Sequence, residues 1–245
     1  MNMQPVSHLF DVDIPVTELI PVRAPERMTP TCDANHFFSK DLLKLGLMWI
    51  DDNIGEQNLL ITGPKGAGKS SFISQLCARL GIQLWRVACH GRLEFQELVG
   101  GFRAVARNGG TDMIWGDGPL VSAARVGGVL LLDEGNFLSP SALGALTPVL
   151  DGSPILIPET GELVIPARGF RVAFTGNAVN GGDDAASHKG IQRMNTAFLD
   201  RFLCGEVDYL PETEEAQVLN RTVPDLEGDV IQKMVKLATA VRKQH

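Results

Sequence analysis

The chain has 245 residues, with 22 Lys and Arg against 29 Asp and Glu, a net charge of −7 and a pI near 5.2. At 44% hydrophobic and 21% charged residues it has globular composition, and a chain this long buries enough surface to fold without covalent or metal staples. The acidic balance argues against a protein whose main task is gripping phosphate backbones, and no apolar run approaches the ~20 residues of a membrane helix, so a soluble cytoplasmic protein is expected.

Residues 1–34 carry five of the fourteen prolines (Pro5, Pro15, Pro21, Pro25 and Pro30), a density that forbids long helix and predicts an extended arm with one short element at most. Ser39 is a candidate N-cap for a helix through Leu43, Leu47, Ile50 and Ile54, ended by Gly55. Strand and helix signals then alternate. Asn58–Thr62 reads as a strand, followed by a glycine-rich turn and a helix burying Phe72, Ile73, Leu76, Cys77 and Leu80. Further strands are predicted at 82–88, 129–132, 170–175 and 206–210, with a helix from Ser139-Pro140 to near Asp151-Gly152. Such alternation predicts an α/β fold with a parallel sheet covered on both faces. Two stretches, 102–117 around Asn108-Gly109-Gly110 and 154–167 around Glu159–Glu162, read instead as inserted β-hairpins serving contact. The cysteines, Cys32, Cys77, Cys89 and Cys204, include no Cys-x-x-Cys pair, so reduced, buried thiols are expected.

The chemistry concentrates after the strands. Gly63-Pro64-Lys65-Gly66-Ala67-Gly68-Lys69-Ser70, with Ser71 next, fits the phosphate-binding pattern G-x-x-x-x-G-K-[ST] between an apolar strand and an amphipathic helix. Glycines let backbone N–H groups curl around phosphate oxygens, and the helix N-terminus adds partial positive charge. Lys69 is expected at the β/γ-phosphates and Ser70 on Mg²⁺. Leu130–Glu134 is an apolar strand ending in two carboxylates, which are costly to desolvate unless a cation sits there. Asp133 is expected to hold the Mg²⁺ and Glu134 to polarise the attacking water. Asn177 follows the 170–175 strand, where ligands of open α/β sheets sit, and is a candidate contact for γ-phosphate and lytic water. Phe198-Leu-Asp-Arg201-Phe places an arginine just before the last strand.

This order of motifs resembles the AAA+ ATPases, P-loop NTPases of the branch that holds MoxR-like proteins and chelatase ATPases. Within that branch it resembles the ATPase subunits of aerobic cobaltochelatases, the CobS type. Three stretches carry it: Thr29–Asp41, Asn180–Asn195 and Tyr209–Pro211. The resemblance implies an extended arm over 1–34, an AAA+ core over 35–211 and a partial helical lid over 212–245. It makes Asn177 a sensor and Arg201 an arginine finger, and matches the two hairpins to the inserts of the branch. It also implies ATP and Mg²⁺ as cofactors, assembly into a ring, expected to be hexameric, and a partner protein with a von Willebrand A-type metal-binding domain. The lid of the branch carries a further sensor arginine, and residues 212–245 have room for only about two lid helices, so the chain is shortened or lacks that sensor. Remodelling of a partner protein is the leading expectation; a cobaltochelatase subunit, a nucleic-acid translocase and a non-hydrolysing scaffold are the alternatives. Glu159 and Glu162 at the second hairpin disfavour DNA tracking, whereas Arg103 and Arg107 on the first leave it open.

Overall fold

Five parallel strands form the centre of the molecule: β3 (Asn58–Thr62), β4 (Leu84–Ala88), β7 (Val129–Asp133), β10 (Arg171–Gly176) and β11 (Phe202–Glu206). They lie side by side in the order β11-β3-β10-β7-β4. The computed structural model describes residues 2–52, 58–107, 110–177 and 196–242. All five residues of β3 and of β7 are buried, because helices cover both faces and leave no wet side to the strands. Alternation divides the strand residues between two cores. Leu60, Leu130, Leu132 and Phe174 face one way, onto α4 (Phe95–Val99), α5 (Pro119–Val126) and α6 (Pro140–Leu150). Leu59, Ile61, Leu131 and Ala173 face the other, onto α2 (Lys40–Ile50) and α3 (Lys69–Leu80). Ser39 and Ser139 cap α2 and α6 as expected, each accepting a backbone N–H bond of the first turn.

The N-terminal stretch departs from the extended arm. Strands β1 (Asn2–Pro5) and β2 (Leu19–Val22) pair antiparallel around a five-residue helix, α1 (Val6–Phe10), whose Val6 and Phe10 are buried in the α2/α3 core. The prolines stop long helix but leave room for short strands and for apolar anchors, which the proline count does not register. The last strand also differs from expectation, lying at 202–206 and not at 206–210. Helix α2 ends at Ile50, with Asp51 as its C-cap, before the predicted stop; Ile54 and Gly55 lie outside the described residues. Of the four free cysteines, Cys77 and Cys89 are buried as expected, whereas Cys32 and Cys204 are exposed.

Both hairpins form: β5 (Gly100–Arg107) with β6 (Gly110–Asp117), and β8 (Ile155–Ile157) with β9 (Glu162–Val164). After a short helix, α7 (Thr196–Leu199), and β11, two helices close the chain, α8 (Glu212–Thr222) and α9 (Gly228–Arg242). They pack on each other through a small core of their own, Ala216, Ile231 and Val235. No described helix is long and apolar enough to cross a membrane.

Candidate functional site

Register brings the sequence motifs together. In the sheet β10 lies between β3 and β7, with Gly176 opposite Thr62 and Phe174 opposite Leu132. The carboxyl ends of three adjacent strands therefore deliver the Gly63–Ser71 loop, Asp133-Glu134 and Asn177 to one edge of the sheet. The loop depends on glycine. Gly63 has φ +147°, and a Cβ there would meet the Val207 carbonyl at 2.0 Å. Gly68, the N-cap of α3, is left-handed at φ +84°, and an added Cβ would find open space there, as at Gly66.

Lys69 is buried at the start of α3 and folds back on the loop, Nζ donating to the carbonyls of Gly63 (2.8 Å) and Pro64 (2.7 Å). Burial lowers its pKa, against the opposing pull of Asp133 and Glu134. Ser70 Oγ donates to Asp133 Oδ1. The same oxygen accepts from Thr175 Oγ1 at 2.6 Å, and the other carboxylate oxygen accepts from Arg86 Nε at 3.0 Å and from Nη2. Burial alone would raise the Asp133 pKa, but the two hydroxyls and the guanidinium outweigh it and hold the carboxyl below its usual range. Glu134 adopts the left-handed region at φ +57°, uncommon for a residue with a side chain, and its N–H donates to Thr175 Oγ1 at 3.0 Å. Thr175, fully buried, thus ties the two carboxylate residues to each other.

Two residues of this cluster, Arg86 and Thr175, carry no motif. Their signal was polarity within apolar strands next to a strand ending in Asp-Glu. Asn136 is a third: it is 4% exposed, and neither its amide oxygen nor its nitrogen finds a hydrogen-bond partner. Beside the loop, Ser71 Oγ lies 3.3 Å from His36 Nδ1, whose pKa falls to about 4 through burial and nearby Arg79, with Asp33 opposing.

Ser70 and Asp133 are hard oxygen donors already joined by a hydrogen bond, a pair that suits Mg²⁺ arriving with nucleotide phosphates and its own waters. Among the described residues no group of three or more His, Cys, Asp and Glu is placed to hold a metal unaided. The Ser70–Asp133 pair fits a metal that brings its remaining ligands with it.

Arg201 is elsewhere. It directly precedes β11, and β11 runs parallel to β3 with Phe202 opposite Asn58 and Glu206 opposite Thr62. Arg201 thus sits just before these strands begin and the phosphate-type loop starts just after they end, six residues or roughly 20 Å further along. Asn58 Nδ2 donates to the carbonyls of both Leu150 and Arg201, binding the end of α6 to the start of β11. The Arg201 guanidinium forks onto Asp151 (Nε–Oδ1 2.6 Å, Nη2–Oδ2 3.0 Å) and also donates to the Ala197 carbonyl.

Residues 58–202 match the family profile for the AAA domain, dynein-related subfamily. The chain is 31% identical over 185 residues to protein NorQ of Paracoccus denitrificans, which covers 75% of this chain and 64% of NorQ. It is also 31% identical over 186 residues to the denitrification regulatory protein NirQ of Stutzerimonas stutzeri, covering 76% of this chain and 63% of NirQ. It thus spans a little under two thirds of each. Its fold is similar to the crystal structure of a candidate ATPase from Cytophaga hutchinsonii, with a TM-score of 0.57 and 19% identity over 74% of this chain and 49% of that one. The expected P-loop architecture and the matched domain agree, and the chain belongs to the dynein-related subfamily of AAA-domain ATPases.

Proposed function

We propose that this ATP hydrolase works as one subunit of a hexameric, cytoplasmic ring of MoxR type that spends ATP hydrolysis on remodelling a partner protein. The observation that carries the ring is the separation just described. Arg201 lies at the far end of β11 and β3 from the loop, away from its own nucleotide site, which supports a role at a neighbour's. In this reading backbone N–H groups from Gly63 to Ser71 cradle the phosphates, and Lys69 leaves the Gly63 and Pro64 carbonyls for the β/γ-phosphates. Ser70 and Asp133 hold Mg²⁺, which would neutralise developing phosphate charge. Glu134 takes a proton from the attacking water, Asn177 orients that water and the γ-phosphate, and Arg201 serves the adjacent subunit. The functional units are the N-terminal stretch of 1–34, the core of 35–211 and the lid of 212–245.

The hairpins favour a protein partner over nucleic acid. Phe102, Met113 and Ile114 are exposed on the first and Leu156 and Leu163 on the second, apolar surface that suits a protein contact more than a phosphate backbone. Glu162 is engaged by Arg125 at 2.7 Å. A von Willebrand A-type domain is the partner that the family likeness implies. A second reading, a cobaltochelatase subunit, rests on the likeness of Thr29–Asp41 and Tyr209–Pro211; the third such stretch, Asn180–Asn195, lies outside the described residues.

Calorimetry with ATP and Mg²⁺ tests the site. Lys69→Ala should lose nucleotide binding while staying folded, and Glu134→Gln should bind ATP yet hydrolyse it slowly, because Asp133 remains while the base is gone. Unchanged affinity in the first, or native turnover in the second, would overturn the assigned roles.

A further inference from the structure

The two oxygens of Asp133 are not equivalent. Oδ1 accepts two hydroxyls, from Ser70 and Thr175. The Ser70 hydroxyl can keep that bond when a metal arrives, since its hydrogen points to Oδ1 while its lone pairs remain available to a cation. Oδ2 is therefore the oxygen left for a metal-bound water, and it is the one that Arg86 occupies with both Nε and Nη2.

The sheet places the arginine there. On β4, Arg86 is opposite Leu131 and Ala88 is opposite Asp133, so Arg86 and Asp133 are diagonal neighbours on one face. Their freedoms differ sharply. The Asp133 side chain is 12% exposed and pinned from three sides, whereas that of Arg86 is 57% exposed and has open solvent to swing into.

We propose that Arg86 is a positioning residue that acts as an internal cation placeholder. It neutralises Asp133 while the pocket is empty and is displaced from Oδ2 as Mg²⁺ enters with the nucleotide, so this exchange sets the Mg²⁺ requirement of binding. The inference rests on the proposed role of Asp133 at the metal. Its physical basis is twofold. A carboxylate this buried costs free energy unless something cationic compensates it, so an empty pocket needs a counter-ion. Two cations at one oxygen repel, so that counter-ion must yield. Lys69 is in the same condition, its ammonium satisfied by loop carbonyls that a phosphate would replace.

A bracing arginine and a displaced one predict opposite signs. The experiment titrates Mg²⁺ against a fixed concentration of fluorescent ADP, which excludes turnover, in the full chain and in Arg86→Met and Arg86→Lys. Displacement predicts that Arg86→Met lowers the Mg²⁺ midpoint about ten-fold, or about 1.4 kcal/mol, the lower end of what a charge-assisted hydrogen bond contributes. The same variant should melt earlier without ligand and gain more melting temperature from Mg²⁺ and ADP than the parent chain. Arg86→Lys retains charge but not the fork, and should lower the midpoint less. It also carries the test if the Met variant does not fold. A midpoint unchanged or raised in a folded variant would overturn the proposal and make Arg86 a brace. Failure of the parent chain to bind ADP at any Mg²⁺ concentration would overturn the site reading itself, and the placeholder with it.

Discussion

At the carboxyl end of the sheet, Ser70, Asp133 and Thr175 are joined by hydrogen bonds, and buried Lys69 beside them is bonded to the loop carbonyls, all supplied by three segments of one chain and the loop between them. At the amino end, Arg201 sits in a bidentate pair with Asp151 at the surface, with 28% of its side chain and 45% of that of Asp151 exposed. The first arrangement is complete within the chain and costly to disturb, because each buried polar group depends on the next. The second is held by contacts that water and salt can replace. On the reading proposed above, a ring subunit built this way would keep its metal and phosphate chemistry to itself and lend out one arginine.

The sharpest way to break that contrast is to disable one end in each of two chains. Arg201→Ala should bind ATP and lose ~10³–10⁵ of turnover, the contribution of an arginine finger, and Glu134→Gln should be comparably inactive. Mixed in equal amounts, the two proteins should recover activity. An Arg201→Ala pocket beside a Glu134→Gln neighbour is complete, and about a quarter of interfaces in a randomly assembled ring are of that kind. ATPase assays on mixtures whose mixed rings are verified by mass spectrometry decide it. Absence of recovery would mean that Arg201 serves its own pocket, is structural, or belongs to a ring that fires only when every site is intact.

The two ends were unequally legible in the sequence. The loop, the carboxylate pair and the strand ahead of Asn177 were readable because phosphate chemistry needs fixed residue types at fixed spacing, and strand alternation placed them on one edge. Arg86 and Thr175 were not, since what recruits them is register: β4 beside β7, and β10 between β7 and β3. A one-residue slip would turn either side chain to the opposite face. The N-terminal strand pair escaped for a related reason, as four-residue strands take their stability from docking Val6 and Phe10 and carry little local pattern. Placing the last strand at 206–210 followed the apolar residues near Tyr209, whereas pairing with β3 selected 202–206.

A smaller effect tests whether the buried end is a network. Thr175→Val keeps the shape but leaves the Glu134 N–H without its acceptor and removes one donor from Asp133. It should cost about 1–3 kcal/mol of stability, read from denaturant unfolding at neutral pH, and slow hydrolysis at saturating ATP. The acid limb adds a sign. Because Asp133 is held below its usual pKa, its bonds stabilise the fold above the ordinary carboxylate range and lose that contribution as pH falls through the folded-state value. The variant, with a smaller depression, has less to lose. The stability gap between variant and parent should therefore narrow in acid. A gap that stays constant would mean that the Glu134 N–H bond alone accounts for the loss.

The smallest effect belongs to Asp151, and it asks how separable the arginine is from its partner. All three nitrogens of the Arg201 guanidinium are engaged within the chain, two by Asp151 and one by the Ala197 carbonyl. To reach a phosphate in a neighbouring subunit, the arginine must surrender part of that set. Asp151→Ala removes the competitor for the charge and also the group that orients it, so the two consequences oppose each other. The melting temperature should barely move, because an exposed pair holding two long side chains in place contributes little to stability. Turnover at saturating ATP should change by less than ~10-fold, far short of the loss from Arg201→Ala, and the change should shrink as salt screens the pair in the parent chain. Steady-state assays across ionic strength, run beside melting curves, read both quantities. If Asp151→Ala instead proved as inactive as Arg201→Ala, the carboxylate and the guanidinium would be one unit, with Asp151 aiming the arginine at its target. The amino end of the sheet would then be as finished within the chain as the carboxyl end, and the contrast between them would lie in burial alone.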